Sequence, residues 1–243
     1  MSYLKSSAEL KAATREKLLG HFLPLIAGFF IIELMVSSVT SIATSLIRGN
    51  SWWENLLYYL IALIVQLFVG VFTLGQSRMY MDLMSDRPIN AFQVFSAFRT
   101  QAATGVLIAG ILALIGLVCA LPGGLCLIGY QYMNDEMMLI VAIPLIAGGV
   151  ALAVYLGLRY SQCYYMAIDF PQFTVRQLFD SSKRVMKGNY GKLLRLYLSF
   201  IPLLLLSILS FGIAFIWLYP YIQGSLCAFY MNLMEVTTGK YNS

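Results

Sequence analysis

Glu33, within GFFIIELMVSS, is the side chain of this sequence with the strongest claim to chemistry. It falls eleven residues past the start of a long apolar run, roughly 16 Å along a helix at 1.5 Å per residue. A carboxylate near the centre of a bilayer costs on the order of 2.5–3.5 kcal/mol by insertion scales, and such residues usually face the protein interior or mark an ion or proton path. Gln66, near the middle of the next apolar run, is the natural hydrogen-bond partner, and Ser37, Ser38 and Thr40 follow Glu33 within one or two turns. Two chemistries stay open: an inert acid hydrogen-bonded to Gln66, and a relay group in a small transporter or channel.

Other chemistries find little to work with. His21 is the single histidine, so zinc-peptidase and Ser-His-Asp patterns are absent. Cys119, Cys126, Cys163 and Cys227 contain no CxxC pair and no metal-ligand spacing with histidine. Cys119 and Cys126 could meet, but a free pair of small apolar side chains is the preferred reading. The segment GNYGK at 188–192 lacks the GxxxxGK[ST] spacing and a preceding strand. The loops hold no convergent nucleophile, base or metal ligands. We therefore expect no catalytic residues, no cofactor, no metal and no nucleic-acid partner.

The elements that must position these residues are membrane helices. Of 243 residues, 60% are hydrophobic and 11% charged, against about 25% charged in a soluble domain. A membrane helix needs roughly 20 apolar residues, and six stretches supply them: about 21–47, 56–78, 103–128, 137–159, 193–211 and 213–234. Only Phe211-Gly212-Ile213 separates the last two, and no charge marks that turn. The polar first 20 residues and the long run after them do not fit a cleaved signal peptide, so the first span is expected to stay. The predicted fold is all-α: one polytopic membrane domain over 1–243, with six spans in three hairpins.

Positive residues are retained on the cytoplasmic side. Lys5, Lys11, Arg15 and Lys17 precede the first span, Arg78, Arg87 and Arg99 lie between the second and third, and Arg159 through Arg195 surround the fourth-to-fifth connection; Lys240 follows the sixth. Only Arg48 falls opposite, with Glu54, Asp135 and Glu136. A multi-pass cell-membrane protein with both termini in the cytoplasm is expected. Aromatic rings favour headgroup level: Trp52, Trp53, Tyr58, Tyr59, Tyr130, Tyr132, Trp217, Tyr219 and Tyr221 are assigned to the outer belt. Tyr80, Tyr160, Tyr164, Tyr165, Tyr190 and Tyr230 are assigned to the inner one.

A pattern recurs along the chain. Ser6 with Glu9, Asn90 with Gln93, and Thr174 with Gln177 each have capping-box spacing, and their first residues lie 84 apart each time. Tyr80-Met81, Tyr165-Met166 and Tyr230-Met231 recur where the second helix of each pair returns, within MYMDLM, YYMAID and FYMNLM. Three units follow, about 6–84, 90–169 and 174–235, each opening with a cytoplasmic-side amphipathic helix whose apolar side is expected to enter the acyl boundary. The third is clearest: Val175, Leu178, Phe179, Ser182, Val185 and Met186 share one face. On that unit Lys183, Arg184, Lys187, Lys192 and Arg195 are candidate contacts for anionic lipid. The spacing of 84 puts Leu117 and Ile201 where Glu33 stands, so Glu33 has no repeat counterpart.

Helices in lipid associate through small residues. Gly105, Ala109 and Ala113 form such a stripe on the third span, and Gly149, Ala153 and Gly157 on the fourth; the two stripes are expected to touch. Pro144 and Pro202 are expected to kink their helices.

The runs YYMAIDFP (164–171), QLFDSSKRVMKGN (177–189), KLLRLYLSF (192–200) and LSFGIAFIWLYPY (209–221), with the opening SAELKAATREKLLG, resemble the bacterial integral membrane family known as domain of unknown function 975. That family is distantly similar to the membrane domains of some bacterial glycerophosphodiester phosphodiesterases, a likeness that implies no catalysis where no hydrolase domain follows. The function expected is a non-enzymatic membrane organiser or accessory protein acting on lipid or in envelope stress, its partners the bilayer, anionic lipid, and a membrane protein or second copy of the chain. The alternative is a small transporter or channel using Glu33 with Gln66.

Overall fold

The structure, a computed structural model, describes residues 4–46, 51–133 and 136–238. Arg48, Asp135 and Lys240 lie outside the described residues. Within these the elements are helical, in the order α1 (Ser7–Leu18), α2 (Phe22–Leu46), α3 (Trp52–Met84), a 3-10 turn (Ala91–Phe95), α4 (Ser96–Thr100), α5 (Ala102–Met133), α6 (Glu136–Tyr160), α7 (Cys163–Asp169), α8 (Val175–Met186), α9 (Tyr190–Leu198), α10 (Ile201–Leu209) and α11 (Phe215–Thr238). Five helical stretches are long and apolar enough to cross a membrane: Phe22–Ser45, Trp52–Met84, Ala102–Tyr132, Glu136–Asp169 and Tyr190–Leu209, the last two counted across short turns.

All three expected capping boxes form. The Ser6, Asn90 and Thr174 side chains accept backbone N–H bonds while Glu9, Gln93 and Gln177 reach back, which satisfies donors a helix start leaves orphaned. α1 and α8 both run 12 residues and end before a glycine at positive φ, Gly20 at 85° and Gly188 at 84°, where a side chain would be strained. The middle copy differs: its box opens a 3-10 turn and the five-residue α4. In each copy the residue four past the cap is buried: Leu10, Val94 and Leu178.

These leading segments pack on protein. α1 lies on α11, the 3-10 turn on α2 and α3, and α8 on α6 and α7. The expectation that their apolar sides enter the acyl boundary is corrected. The centre of the inward face is Leu10-Thr14-Leu18 in α1 and Leu178-Ser182-Met186 in α8, every member 3% exposed or less. On α8 the flanking Val175, Phe179 and Val185 also pack against the core, so the broad apolar face that would otherwise enter lipid is met by protein. Thr14 and Ser182 belong to a protein contact, Ser182 Oγ donating to the Arg159 carbonyl at 3.0 Å.

The small-residue stripes pack with other partners than expected. A Cβ on Gly70 of α3 would stand 2.2 Å from the Ala109 Cβ and 2.7 Å from the Gly105 carbonyl oxygen, so the α5 stripe closes on α3. On α6, Gly149 meets the Cys119 carbonyl of α5, while Gly157 has open space around it. The reason is register. α5 and α6 run antiparallel with Gly123 against Ile146 and Gly149 against Cys119, so the stripe over 105–113 lies mostly beyond the reach of 149–157. Pro144 stays inside an uninterrupted α6, whereas Pro202 begins a new helix, α10. The four cysteines are free.

The third pair is shorter than the expected two spans. Tyr221 donates to the Lys11 carbonyl at 3.4 Å, Lys11 Nζ donates to the Ser199 carbonyl at 2.7 Å, and the Phe200 and Tyr221 rings meet edge to face at 5.4 Å. Both arms are thereby tied to α1 at one level. Above it rise the nine residues of α10, about 13 Å of helix, and the start of α11; counted with α9, the first arm Tyr190–Leu209 is long and apolar enough to cross a membrane, whereas α11 is not among such stretches. The connecting turn keeps its own donors: the N–H groups of residues 210–216 bond to Leu206, Ile208, Ser207, Ser210, the Ser210 hydroxyl, Gly212 and Ile213 respectively. Phe211 at its tip is 98% exposed.

α11 packs against α1, α2, α3, α8 and α10 and, unlike α2, α3, α5 and α6, is not among the stretches apolar enough to cross a membrane. No residue from Leu218 to Val236 is exposed, so its Tyr219, Gln223, Ser225 and Asn232 are met by protein rather than lipid. The core sits at the basic end, where α3 is almost continuously buried from Gly70 to Leu83. Towards the other end the helices part and expose apolar side chains. The tightest joint is Gly75, where a Cβ would stand 2.1 Å from the Val94 carbonyl oxygen. Gly75→Ala should cost roughly 3 kcal/mol or prevent folding, while Gly116→Ala, with nothing within 4 Å, should leave thermal unfolding in detergent at or above wild type. Equal melting of Gly75→Ala and wild type would contradict this packing.

Candidate functional site

The repeated Tyr-Met doublets meet in the core. Tyr80, Tyr165 and Tyr230 are buried in one cluster with Cys163, Met166 and Cys227, and the Tyr165 and Tyr230 rings stack at 5.3 Å. Tyr230 donates to the Asp169 carboxylate at 2.6 Å. Tyr80, Tyr165 and Tyr230 therefore do not form an inner aromatic belt: the helices carrying them place all three in a protein core. Tyr219 and Tyr221 likewise leave the outer belt, since Tyr219 donates to Gln76 at 2.8 Å. Trp52, Trp53 and Trp217 remain exposed.

Beside this core lies a cavity of about 640 Å³ between α3, α5, α6, α9 and α11. Its polar lining is wholly uncharged: Thr73, Ser77, Ser161, Gln162, Gln223 and four tyrosines, with leucine, isoleucine and valine around them. Gln162 is 2% exposed. Its Nε2 donates to the Ser161 hydroxyl at 2.7 Å, which donates onward to the Leu158 carbonyl at 2.9 Å. That chain fixes the amide orientation and leaves Gln162 Oε1 buried without a partner. Lining residues Val154, Leu194 and Tyr197 are themselves exposed, so the cavity opens sideways between α6 and α9.

The basic candidates form a separate surface. Lys183, Arg184, Lys187, Lys192 and Arg195 are all exposed. Among the described residues the ion pairs are Lys17 with Asp86 and Arg87 with Asp82, so these five side chains carry none. α8 and α9 are held from behind by Leu178, Met186, Leu193 and Leu196, each fully buried. Across α1, Lys11 lies over the Phe200 ring at 4.0 Å; burial, with Arg15 beside it, lowers its ammonium pKa from the usual value.

Glu33 and Gln66 are not brought together as a buried pair. Both are exposed. Gln66 lines a crevice of about 230 Å³ between α2 and α3 with Val36, Thr40 and Tyr58, whereas Glu33 stands one turn past Phe29, whose ring meets that of Tyr219 on α11 at 4.3 Å. Among the described residues the buried amides are Gln76, Gln162 and Asn232, with Gln223 half-buried; the sequence reading passed over Gln76, Gln162 and Gln223. The rule that singled out Glu33 and Gln66, a polar side chain inside an apolar run, applies equally to Gln76 and Gln223. Gln162, at a helix junction, carries no such signal.

The family model described as "Protein of unknown function (DUF975)" matches residues 1–237. The chain belongs to the DUF975 family. No curated protein and no solved structure matches it. The family match covers every helix described and every residue of the cavity and basic surface, but assigns no activity to them.

The Tyr219–Gln76 bond ties α11 to α3 at the cavity's edge. Tyr219→Phe leaves the 7%-exposed Gln76 short of a partner and should cost about 1–3 kcal/mol. Adding Gln76→Leu should return part of that, as measured by denaturant unfolding; a double variant weaker than the sum of the two single losses would contradict the pairing.

Proposed function

We propose that this DUF975 protein is a non-enzymatic, multi-pass protein of the cell membrane, both termini cytoplasmic, that organises the lipid around it by holding anionic headgroups against α8 and α9. The observation that carries this is the set of five exposed basic side chains without ion pairs on two helices anchored from behind. Each Lys or Arg near an anionic surface contributes about 1 kcal/mol of attraction. The packing around them is fixed, so little ordering of the helices opposes it.

The topology proposed keeps three units. Two are full hairpins, α2–α3 and α5–α6; the third, α10–α11, enters from the basic side and turns within the acyl region. A turn that meets its own N–H groups and presents Phe211 suits hydrocarbon, where an unmet backbone donor costs several kcal/mol. Parity is unchanged, so both termini share a side. The units interlock: each leading segment docks on the last helices of the unit before it, and α1 closes the circle on α11. The likeness to phosphodiesterase membrane domains fits a lipid-facing role. A membrane-protein partner or second copy would find its surface on the splayed apolar end. Glu33, exposed and apart from Gln66, lends the transporter reading no support.

In nanodiscs of mixed phosphatidylglycerol and phosphatidylethanolamine, Lys183→Gln/Arg184→Gln/Lys187→Gln should retain several-fold less phosphatidylglycerol per protein than wild type in native mass spectrometry. The wild-type excess should shrink as salt rises. An unchanged lipid ratio in the triple variant would overturn the proposal.

A further inference from the structure

We propose that the lateral cavity between α6 and α9 is a binding site for an uncharged amphiphile whose head carries ester or hydroxyl oxygens, of the diacylglycerol class. The inference rests on the membrane reading but is independent of the basic face.

Two features of the lining select this chemistry. First, no Lys, Arg, His, Asp or Glu among the described residues lines the cavity, so a phosphate, carboxylate or ammonium head would be desolvated without a counter-charge. Second, the phenols of Tyr164 and Tyr197 line the same space and make no hydrogen bond among the described residues, so they offer donors to the ester or hydroxyl oxygens of a neutral head, donors that an occupant made only of hydrocarbon would leave unmet.

The apolar part of the ligand has a place as well. Leu112, Ile115, Val154 and Leu194 border the cavity, and the opening beside Val154 and Leu194, 50% and 39% exposed, faces the apolar surface on which acyl chains lie. A volume of about 640 Å³ is within the range of sites that enclose a small ligand; it takes a glycerol head and the first segments of two chains, the remainder staying in the bilayer.

The test uses the full chain in phosphatidylcholine nanodiscs with a trace of diazirine-bearing diacylglycerol, irradiated and mapped by peptide mass spectrometry. The label should concentrate on residues 153–165 and 194–197. Excess dioleoylglycerol should displace it and dioleoylphosphatidylglycerol should not. Tyr197→Phe, which removes only one hydroxyl from a partly exposed ring, should lower labelling about three- to tenfold, as should Tyr164→Phe; Tyr132→Phe, far out on α5 and exposed, should not. If Tyr164→Phe does not fold, Tyr197→Phe alone decides. Label spread evenly over the lipid-facing helices, equal displacement by the charged lipid, or full labelling of a folded Tyr197→Phe protein would overturn the proposal.

Discussion

Apolar side chains that protein does not cover must be solvated by hydrocarbon, and the other features follow from where this chain leaves them uncovered. Leu57, Ile64, Leu114, Leu125, Ile140 and Val150 are exposed on long helices, and Leu205 and Phe211 on α10 and the turn after it. Water would oppose that surface at about 25 cal/mol per Å²; acyl chains do not. With hydrophobic burial removed as a reason for helices to associate, close backbone approach must replace it. It does so at Gly70 on Ala109, Gly75 on Val94, Gly123 on Ile146 and Gly149 on Cys119. These contacts order the helices from the outside. α11, packed against α1, α2, α3, α8 and α10, carries polar groups that a lipid-facing helix could not.

The helical class, the three capping boxes, the C-terminal glycines of α1 and α8 and the limits of the first four apolar runs were legible because each depends on neighbours along the chain. Capping is a three-residue event, and a glycine at positive φ is needed wherever the helix ends that way. What the sequence did not disclose depends on register. Nothing local says that Gly105 will meet Gly70 rather than α6, because that choice is made by how far α5 and α6 slide past each other. The tyrosine doublets were read as headgroup anchors for the same reason: an aromatic at a helix end is equally suited to an interface and to a core, and only the docking of α1 and α8 around them decides. Two full spans are expected of the third hairpin because its apolar residues are numerous enough; Tyr190–Leu209 has that length and α11 is not among the stretches that do, and the Tyr221 and Lys11 bonds to backbone carbonyls that tie both arms to α1 join residues about 200 apart.

Two surfaces of opposite character result. The basic face of α8 and α9 is charged, open and fixed, and suits headgroups in the plane of the membrane. The cavity behind it is uncharged, recessed and open to the side, and suits a head that has left that plane. Both lie at the end where the core is dense and the backbone least free to move, the end at which the three leading segments interlock. Glu33 stands apart from both, half-way up α2.

The central claim, that the apolar helices lie in a bilayer with the basic end in the cytoplasm, is tested most directly by a single substitution, Lys187→Cys, probed with a membrane-impermeant maleimide. The native cysteines are buried or half-buried and leave the added thiol as the accessible one. The account predicts no labelling in intact cells and full labelling after permeabilisation. Labelling in intact cells, or recovery of the protein in the soluble fraction, would contradict it.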